Sequence, residues 1–230
     1  MRVRAALPEH HVRDDSKRLI EMGLGIIGTM GGLLLGLLVA SATASYNAQQ
    51  NELLDISSKV VLLDRVLAHY GPDATQARQV LQASVKGALA RVWPMDASMG
   101  AHLEPLAARP ESVLDKIEDL APKTDGQRSL KSEAVTLALN LLQSRWLIYV
   151  QTSVSISVPL LIVLVFWFTI TFTGFGILAP PNATVILALA LCSVAVSGAV
   201  FLILGMYSPF QGILQLSSEP LRDALAHLGR

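Results

Sequence analysis

Long apolar segments divide the sequence, and charged residues are confined to the parts of the chain between them. No Asp, Glu, Lys or Arg occurs in residues 22–51 or in residues 146–218. A helix that crosses the hydrocarbon core of a bilayer needs about 20 apolar residues. The first charge-free stretch therefore predicts one membrane helix, at residues 22–45. The second stretch predicts two, at residues 146–175 and 183–207.

The second and third predicted spans are separated by a segment of turn-forming residues, "GFGILAPPNA". Glycine and proline interrupt regular helices, so this composition predicts a turn between the two spans. The residues concerned are Gly174, Gly176, Pro180 and Pro181. Pro159 lies inside the second predicted span, where we expect it to kink the helix.

Residues 46–145 contain most of the charge and show the periodicity of water-exposed helices. Their first helix continues directly from the first span, and its apolar residues recur at steps of three and four, as in a heptad repeat. These residues are Leu53, Ile56, Val60, Leu63, Leu67 and Tyr70. The helix is predicted to end at Gly71, and Asp73 is positioned to cap the next one. A later helix, from about Ser129, is predicted to lead directly into the second span.

The predicted fold class is therefore all-α: a polytopic membrane protein with three transmembrane helices and a helical extramembrane domain that continues from them. Residues 1–21 form a polar N-terminal tail, and residues 208–230 form a C-terminal tail with a short helix. Three spans place the extramembrane domain and the C-terminal tail on the same side of the membrane. Lys and Arg residues near the membrane are equally frequent on both sides, so charge does not predict which side is cytoplasmic.

Small residues occupy every fourth position along the first span. These residues, here called the small-residue stripe, are Gly28, Gly32, Gly36, Ala40 and Ala44. Positions four apart lie on one side of a helix, and small residues let membrane helices approach closely. We therefore expect the stripe to be a helix interface, within a protomer or between protomers. The alternative is the general tolerance of membrane helices for glycine.

Composition and motifs restrict the possible functions. The chain is 52% hydrophobic and 16% charged, and its net charge of zero argues against nucleic acid as a partner. Cys192 is the only cysteine, which excludes an internal disulfide, and we expect it to pack between helices. No HExxH, CxxC, GxSxG or P-loop motif is present. We therefore expect a protein that is not an enzyme and has no cofactor, with the lipid bilayer as its main partner.

Several segments resemble the bestrophin-like family of bacterial membrane proteins. They are "LLDRVLAHYGPDA", "RWLIYVQTS", "LIVLVFWFTITFTGFGILAPPN" and "VFLILGMYSPFQGILQLSSEPLRDAL", in that order, and "LPEHHVRDDSK" resembles one branch of the family. The resemblance implies a distant likeness to bestrophins, which are pentameric anion channels whose cytosolic helices extend their membrane helices. It therefore implies a homo-oligomer in the bacterial inner membrane, with residues 46–145 and the C-terminal tail in the cytoplasm.

Two features depart from the pattern that this resemblance implies. Relatives usually carry a further hydrophobic helix before the "LPEHH" stretch, and this chain begins without it, so either its start is misassigned or one helix is absent. The chain also has no acidic cluster that matches the calcium site of bestrophins, and no metal site is predicted.

Two functions follow as hypotheses from these patterns. The first is an oligomeric channel, with small anions as the expected cargo. The resemblance then implies that the first span lines the pore, and its candidate neck residues are Met30, Leu34, Leu37 and Ser41. A mainly apolar neck can close by dewetting. The alternative is a membrane scaffold that transports nothing and assembles through its helical domain, which the heptad-like pattern supports equally well.

Overall fold

The computed structural model describes residues 14–94, 111–153, 158–179, 182–210 and 214–229. All regular elements in these residues are helices, so the predicted all-α class is confirmed. The helices are α1 (Asp14–Tyr70), α2 (Thr75–Val92), α3 (Glu111–Glu118), α4 (Asp125–Ser153), α5 (Val158–Leu178), α6 (Ala183–Met206) and α7 (Glu219–His227), with a 3-10 turn at Pro72–Ala74. Among them, α1, α5 and α6 are long and apolar enough to cross a membrane, as predicted.

The chain divides into two compact units. The unit that we call the membrane unit comprises Met1–Ala44 and Ser155–Tyr207, and the helical unit comprises Ser45–Val154 and Ser208–Arg230. Helix α1 contributes residues to both units, because it runs without interruption from Asp14 to Tyr70.

In the membrane unit, α1 packs against α5 in antiparallel order. The contacts pair Leu24 with Gly174, Gly28 with Thr171, and Gly31 with Phe168. A Cβ atom at Gly174 would lie 2.5 Å from Cδ1 of Leu24, so the absent side chain allows the close approach of these two helices. A buried apolar cluster joins α1 and α5 to α6, and consists of Leu38, Ala42, Leu164 and Ile203.

The buried side of α1 in the membrane unit follows a seven-residue spacing. Leu24, Gly31 and Leu38 are buried, and Ala42 continues the same side. Residues seven apart fall within about 20° of each other around an α-helix, so they form one continuous packing face. We call this face the α1 seam.

The core of the helical unit is built around the predicted heptad-like residues of α1. Leu53, Ile56, Val60, Leu63, Leu67 and Tyr70 are all buried. All of them except Leu53 share one apolar cluster with residues of the other helices, among them Leu81 of α2, Ile117 of α3, Ala138 of α4 and Leu221 of α7. The heptad-like pattern is therefore used inside the chain, as the centre of this core.

The predicted cap at Asp73 is wrong. Asp73 lies in the 3-10 turn, α2 begins after it at Thr75, and Ala74 occupies the cap position without a side-chain hydrogen bond. The carboxylate of Asp73 instead pairs with Lys123, at 2.8 Å between Oδ2 and Nζ. The turn starts at Gly71, whose φ of 112° is a conformation that other residues rarely adopt.

The second predicted span also differs from the structure. Residues 146–175 are divided between α4, which ends at Ser153, and α5, which begins at Val158. Pro159 is the second residue of α5 as described, and the kink expected there falls next to residues 154–157, which lie outside the described residues. Gly174 and Gly176 lie within α5 and not in the following turn. Residues 154–157, 180 and 181 lie outside the described residues.

Candidate functional site

The candidate neck residues lie on α1, on a side different from the α1 seam. Successive residues of an α-helix are rotated by about 100°, which places Met30, Leu37 and Ser41 roughly a third of a turn away from the seam. Met30 is 48% exposed and Leu37 is 64% exposed in the single chain. At Met30 and Leu37 this side of α1 is therefore not covered by α5 or α6.

Two of the four candidate neck residues have contacts that the sequence did not indicate. Leu34 is half-buried and packs against the cluster that joins α1 to α5 and α6, because it lies at the border of the α1 seam. The hydroxyl of Ser41 lies 3.3 Å from that of Tyr207, at the end of α6. The hydroxyl of Thr43 donates to the carbonyl of Val39 at 2.9 Å and also lies 3.7 Å from the sulfur of Met206. The hydroxyl groups at this end of the membrane unit are therefore held by contacts between α1 and α6.

The small-residue stripe turns around α1, because steps of four residues add about 40° to each full turn. Gly28 lies next to the seam, and a Cβ atom added to it would lie 3.7 Å from Cγ2 of Thr171. At Gly32 and Gly36 an added Cβ would meet no atom within 4 Å. Within the protomer the stripe is thus a contact at Gly28 but not at these two glycines, and an interface between protomers stays a prediction.

Cys192 is exposed on α6 and does not pack between helices of the described chain, contrary to expectation. The close packing that small residues provide is found instead at Gly31 and Gly174, which the regular four-residue spacing did not include. The sequence did not single out these positions. Every side of a membrane helix is apolar, so polarity does not distinguish its packing face from its lipid-facing sides.

The helical unit contains a cavity of about 160 Å³ that the sequence did not reveal. Side chains of α1, α2 and α4 form its apolar walls, including Leu53, Leu81 and Leu141. Arg91 near the end of α2 and Arg145 of α4 also line it. Only the tertiary structure brings these two arginines to one cavity, because 53 positions separate them in the sequence.

Trp93 and Phe210 connect the lining of this cavity to the C-terminal tail. Their rings meet edge to face, with centroids 5.8 Å apart. The indole Nε1 of Trp93 donates a 2.9 Å hydrogen bond to the carbonyl of Leu216. Both aromatic rings line the cavity, so the tail helps to form it.

Comparison with known proteins identifies the family of this chain. Residues 1–221 match the family model described as "Bestrophin-like domain". The match includes the three candidate membrane helices and ends within α7. No curated protein and no solved structure matches the chain.

Proposed function

The chain belongs to the bestrophin-like domain family, with three helices fit to span a membrane, and from this premise we propose that it forms a homo-oligomeric channel for small anions. The observation that carries the proposal is the uncovered side of α1. Met30 and Leu37 are exposed there, and they lie apart from the α1 seam that packs against α5 and α6. In a ring of protomers this side of α1 can face the central axis.

The position of the small-residue stripe supports the same arrangement. Gly32 and Gly36 are exposed and lie on the other side of the seam from Met30 and Leu37. A helix in a ring needs separate surfaces for its own protomer, for the neighbouring protomer and for the pore. The three faces of α1 meet this requirement around residues 30–38, with Gly32 and Gly36 of the stripe as the contact between protomers.

The cargo is proposed from the polar groups that the spans provide. Residues 22–51 and 146–218 contain no carboxylate, and rings of carboxylates are the usual means of selecting cations. Ser41 and Tyr207 supply hydroxyl groups at one end of the membrane unit. Hydroxyl donors can replace part of the water around a small anion such as chloride. The apolar side chains of Met30 and Leu37 would close the pore by excluding water from it.

We also propose that the protein lies in the bacterial inner membrane with its helical unit in the cytoplasm. Ala83, which is exposed on α2, offers a test of this orientation. In intact cells, the variant Ala83→Cys should not react with a membrane-impermeant thiol reagent until the cells are opened. The unmodified chain provides the background, because its single cysteine, Cys192, lies within α6. Labelling of Ala83→Cys in intact cells would contradict this orientation and place the helical unit outside the cytoplasm.

The channel is tested by chloride flux into liposomes that contain the purified protein. The variant Leu37→Ser should conduct more than the wild type, because a hydroxyl lowers the cost of wetting the neck. Leu191→Ser is the matched control: Leu191 is 63% exposed on α6, almost as much as Leu37 on α1. Its replacement should leave the flux unchanged.

Flux above that of protein-free liposomes, increased only by Leu37→Ser, supports the channel. If both variants and the wild type pass no chloride although the protein is folded and oligomeric, the channel proposal fails. The scaffold hypothesis then replaces it. The oligomer itself separates the two functions, since a ring with an open axis suits a channel and a dimer without one suits a scaffold.

A further inference from the structure

We propose that the cavity of the helical unit is a binding site for a small amphipathic anion, an acid group attached to an apolar group about the size of a benzene ring. The site lies wholly within the helical unit. The inference is independent of ion conduction, because it concerns binding to a different part of the chain.

The size of the cavity sets the size of the apolar group. Its volume is about 160 Å³, close to the volume of about 150 Å³ at which an apolar protein cavity takes up benzene. Apolar walls that face water gain free energy when contacts with an apolar group replace that water. A ring or a short branched chain would make those contacts with Leu53, Leu81 and Leu141, which line the cavity.

The two arginines set the charge of the ligand. Arg91 and Arg145 line the cavity, and the described lining residues include no carboxylate. A guanidinium group binds carboxylates and phosphates through parallel hydrogen bonds. Both arginines also interact within the chain, but each guanidinium has five N–H donors and can bind an anion in addition. The other polar side-chain groups of the described lining are the hydroxyls of Ser84 and Tyr149 and the indole N–H of Trp93, which donates to the carbonyl of Leu216.

These properties together distinguish the proposed ligand from simpler ones. Chloride or inorganic phosphate would leave the apolar walls without contacts, and a neutral hydrocarbon would make no use of the guanidinium donors in the lining. An aromatic or short-chain carboxylate satisfies both parts of the lining. The site thus fits an organic acid that is taken up from solution, with its acid group at the arginines.

The test uses fluorine NMR on the full chain in lipid nanodiscs, with 4-fluorobenzoate as the probe. The wild type should broaden and shift the probe signal, and excess benzoate should reverse this. The variant Ala88→Phe should abolish the effect, because Ala88 lines the cavity and the added ring occupies its space. Ala83→Phe places the same ring on the exposed side of α2, and should bind like the wild type.

The charge is tested with Arg91→Gln, Arg145→Gln and the uncharged probe fluorobenzene. Each arginine variant should bind 4-fluorobenzoate about tenfold more weakly, as expected for the loss of a charge-assisted hydrogen bond, and should bind fluorobenzene as the wild type does. If Ala88→Phe does not fold, Ser84→Leu fills the same cavity from another point of its wall. The proposal is overturned if folded wild type and a folded cavity-filling variant give the same probe signal, or if neither arginine variant changes binding.

Discussion

Arg78 donates two hydrogen bonds to the carboxylate of Asp64, one to each oxygen. Nε lies 2.8 Å from Oδ1, and Nη2 lies 2.8 Å from Oδ2. The backbone N–H of Gly229 donates a third hydrogen bond to Oδ2, at 3.2 Å. Asp64 is only 2% exposed. This carboxylate therefore joins α1, α2 and the C-terminal tail inside the helical unit.

The surroundings of Asp64 favour its ionised form. Burial raises the pKa of Asp64. The hydrogen bonds from Arg78 and from the Gly229 N–H, together with the charges of Arg78 and Arg65, lower this pKa by more than burial raises it. The net effect is a pKa below the ordinary value. Because the pKa is lower in the folded state, ionised Asp64 stabilises the fold at neutral pH. This stabilisation is lost as the pH falls below about 4 and through the folded pKa.

We expect Asp64→Asn to destabilise the helical unit by about 2 kcal/mol at pH 7. The amide has no negative charge, and its single oxygen replaces the two carboxylate oxygens that accept hydrogen bonds from Arg78. Hydrogen exchange of the backbone amides of α2 measures this as a lower free energy of local opening. The difference between wild type and variant should shrink when the measurement is repeated below about pH 4.

The control for this prediction is Asp119→Asn. Asp119 pairs with Lys116 at the surface, where its side chain is 68% exposed, and such pairs contribute less than about 1 kcal/mol. An equal loss of stability in the two variants, or a difference at Asp64 that does not change with pH, would contradict the role assigned to this carboxylate.

Gly71 provides a second test of the helical unit. Its backbone, at φ 112° and ψ −170°, is in a region that only glycine adopts without strain. Gly71→Ala should cost about 1–3 kcal/mol, measured by hydrogen exchange of α1 and α2. Gly87→Ala, within α2, should be neutral or slightly stabilising, since its Cβ would meet Arg91 Nη2 at an ordinary 3.7 Å. A similar loss in both variants would refute the strain argument.

Gly174 tests the contact between α1 and α5. Gly174→Ile should lower the stability of the detergent-solubilised protein by about 1–3 kcal/mol, because the new side chain overlaps Leu24. Gly176→Ile puts the same residue two positions along α5, where an added Cβ meets nothing within 4 Å. Thermal unfolding followed by circular dichroism compares the two. Equal unfolding temperatures for the two variants would contradict the importance of the close approach at Gly174.

The small-residue stripe is tested by the size of the oligomer. Gly32→Ile should reduce the mass of the purified complex, because it separates helices that pack through the stripe. Leu33→Ile is the control, since Leu33 is 71% exposed and lies beside the stripe. Light scattering of the complexes in detergent gives their masses. Equal masses for the two variants would leave glycine tolerance as the better explanation of the stripe.

The outcomes in the two units show which features could be predicted from sequence. In the helical unit, the positions of Leu63 and Leu67 indicated a buried seam, and both are completely buried. Apolar and polar residues alternate there with the period of a helix, because one side meets the core and the other meets water. In the spans this contrast is absent. The four-residue spacing of glycines therefore included Gly28, which does contact α5, but it then singled out Gly32, whereas the next contact with α5 lies at Gly31.

The sequence by itself determined the all-α class, the three spans and the buried side of the water-exposed part of α1, because these depend on local composition and periodicity. Tertiary structure decided which side of α1 packs against α5 and which carboxylate is paired inside the helical unit. It also decided that Arg91 and Arg145 line one cavity. These features are contacts between distant residues, and each depends on how complementary surfaces pack in three dimensions, which no local pattern specifies.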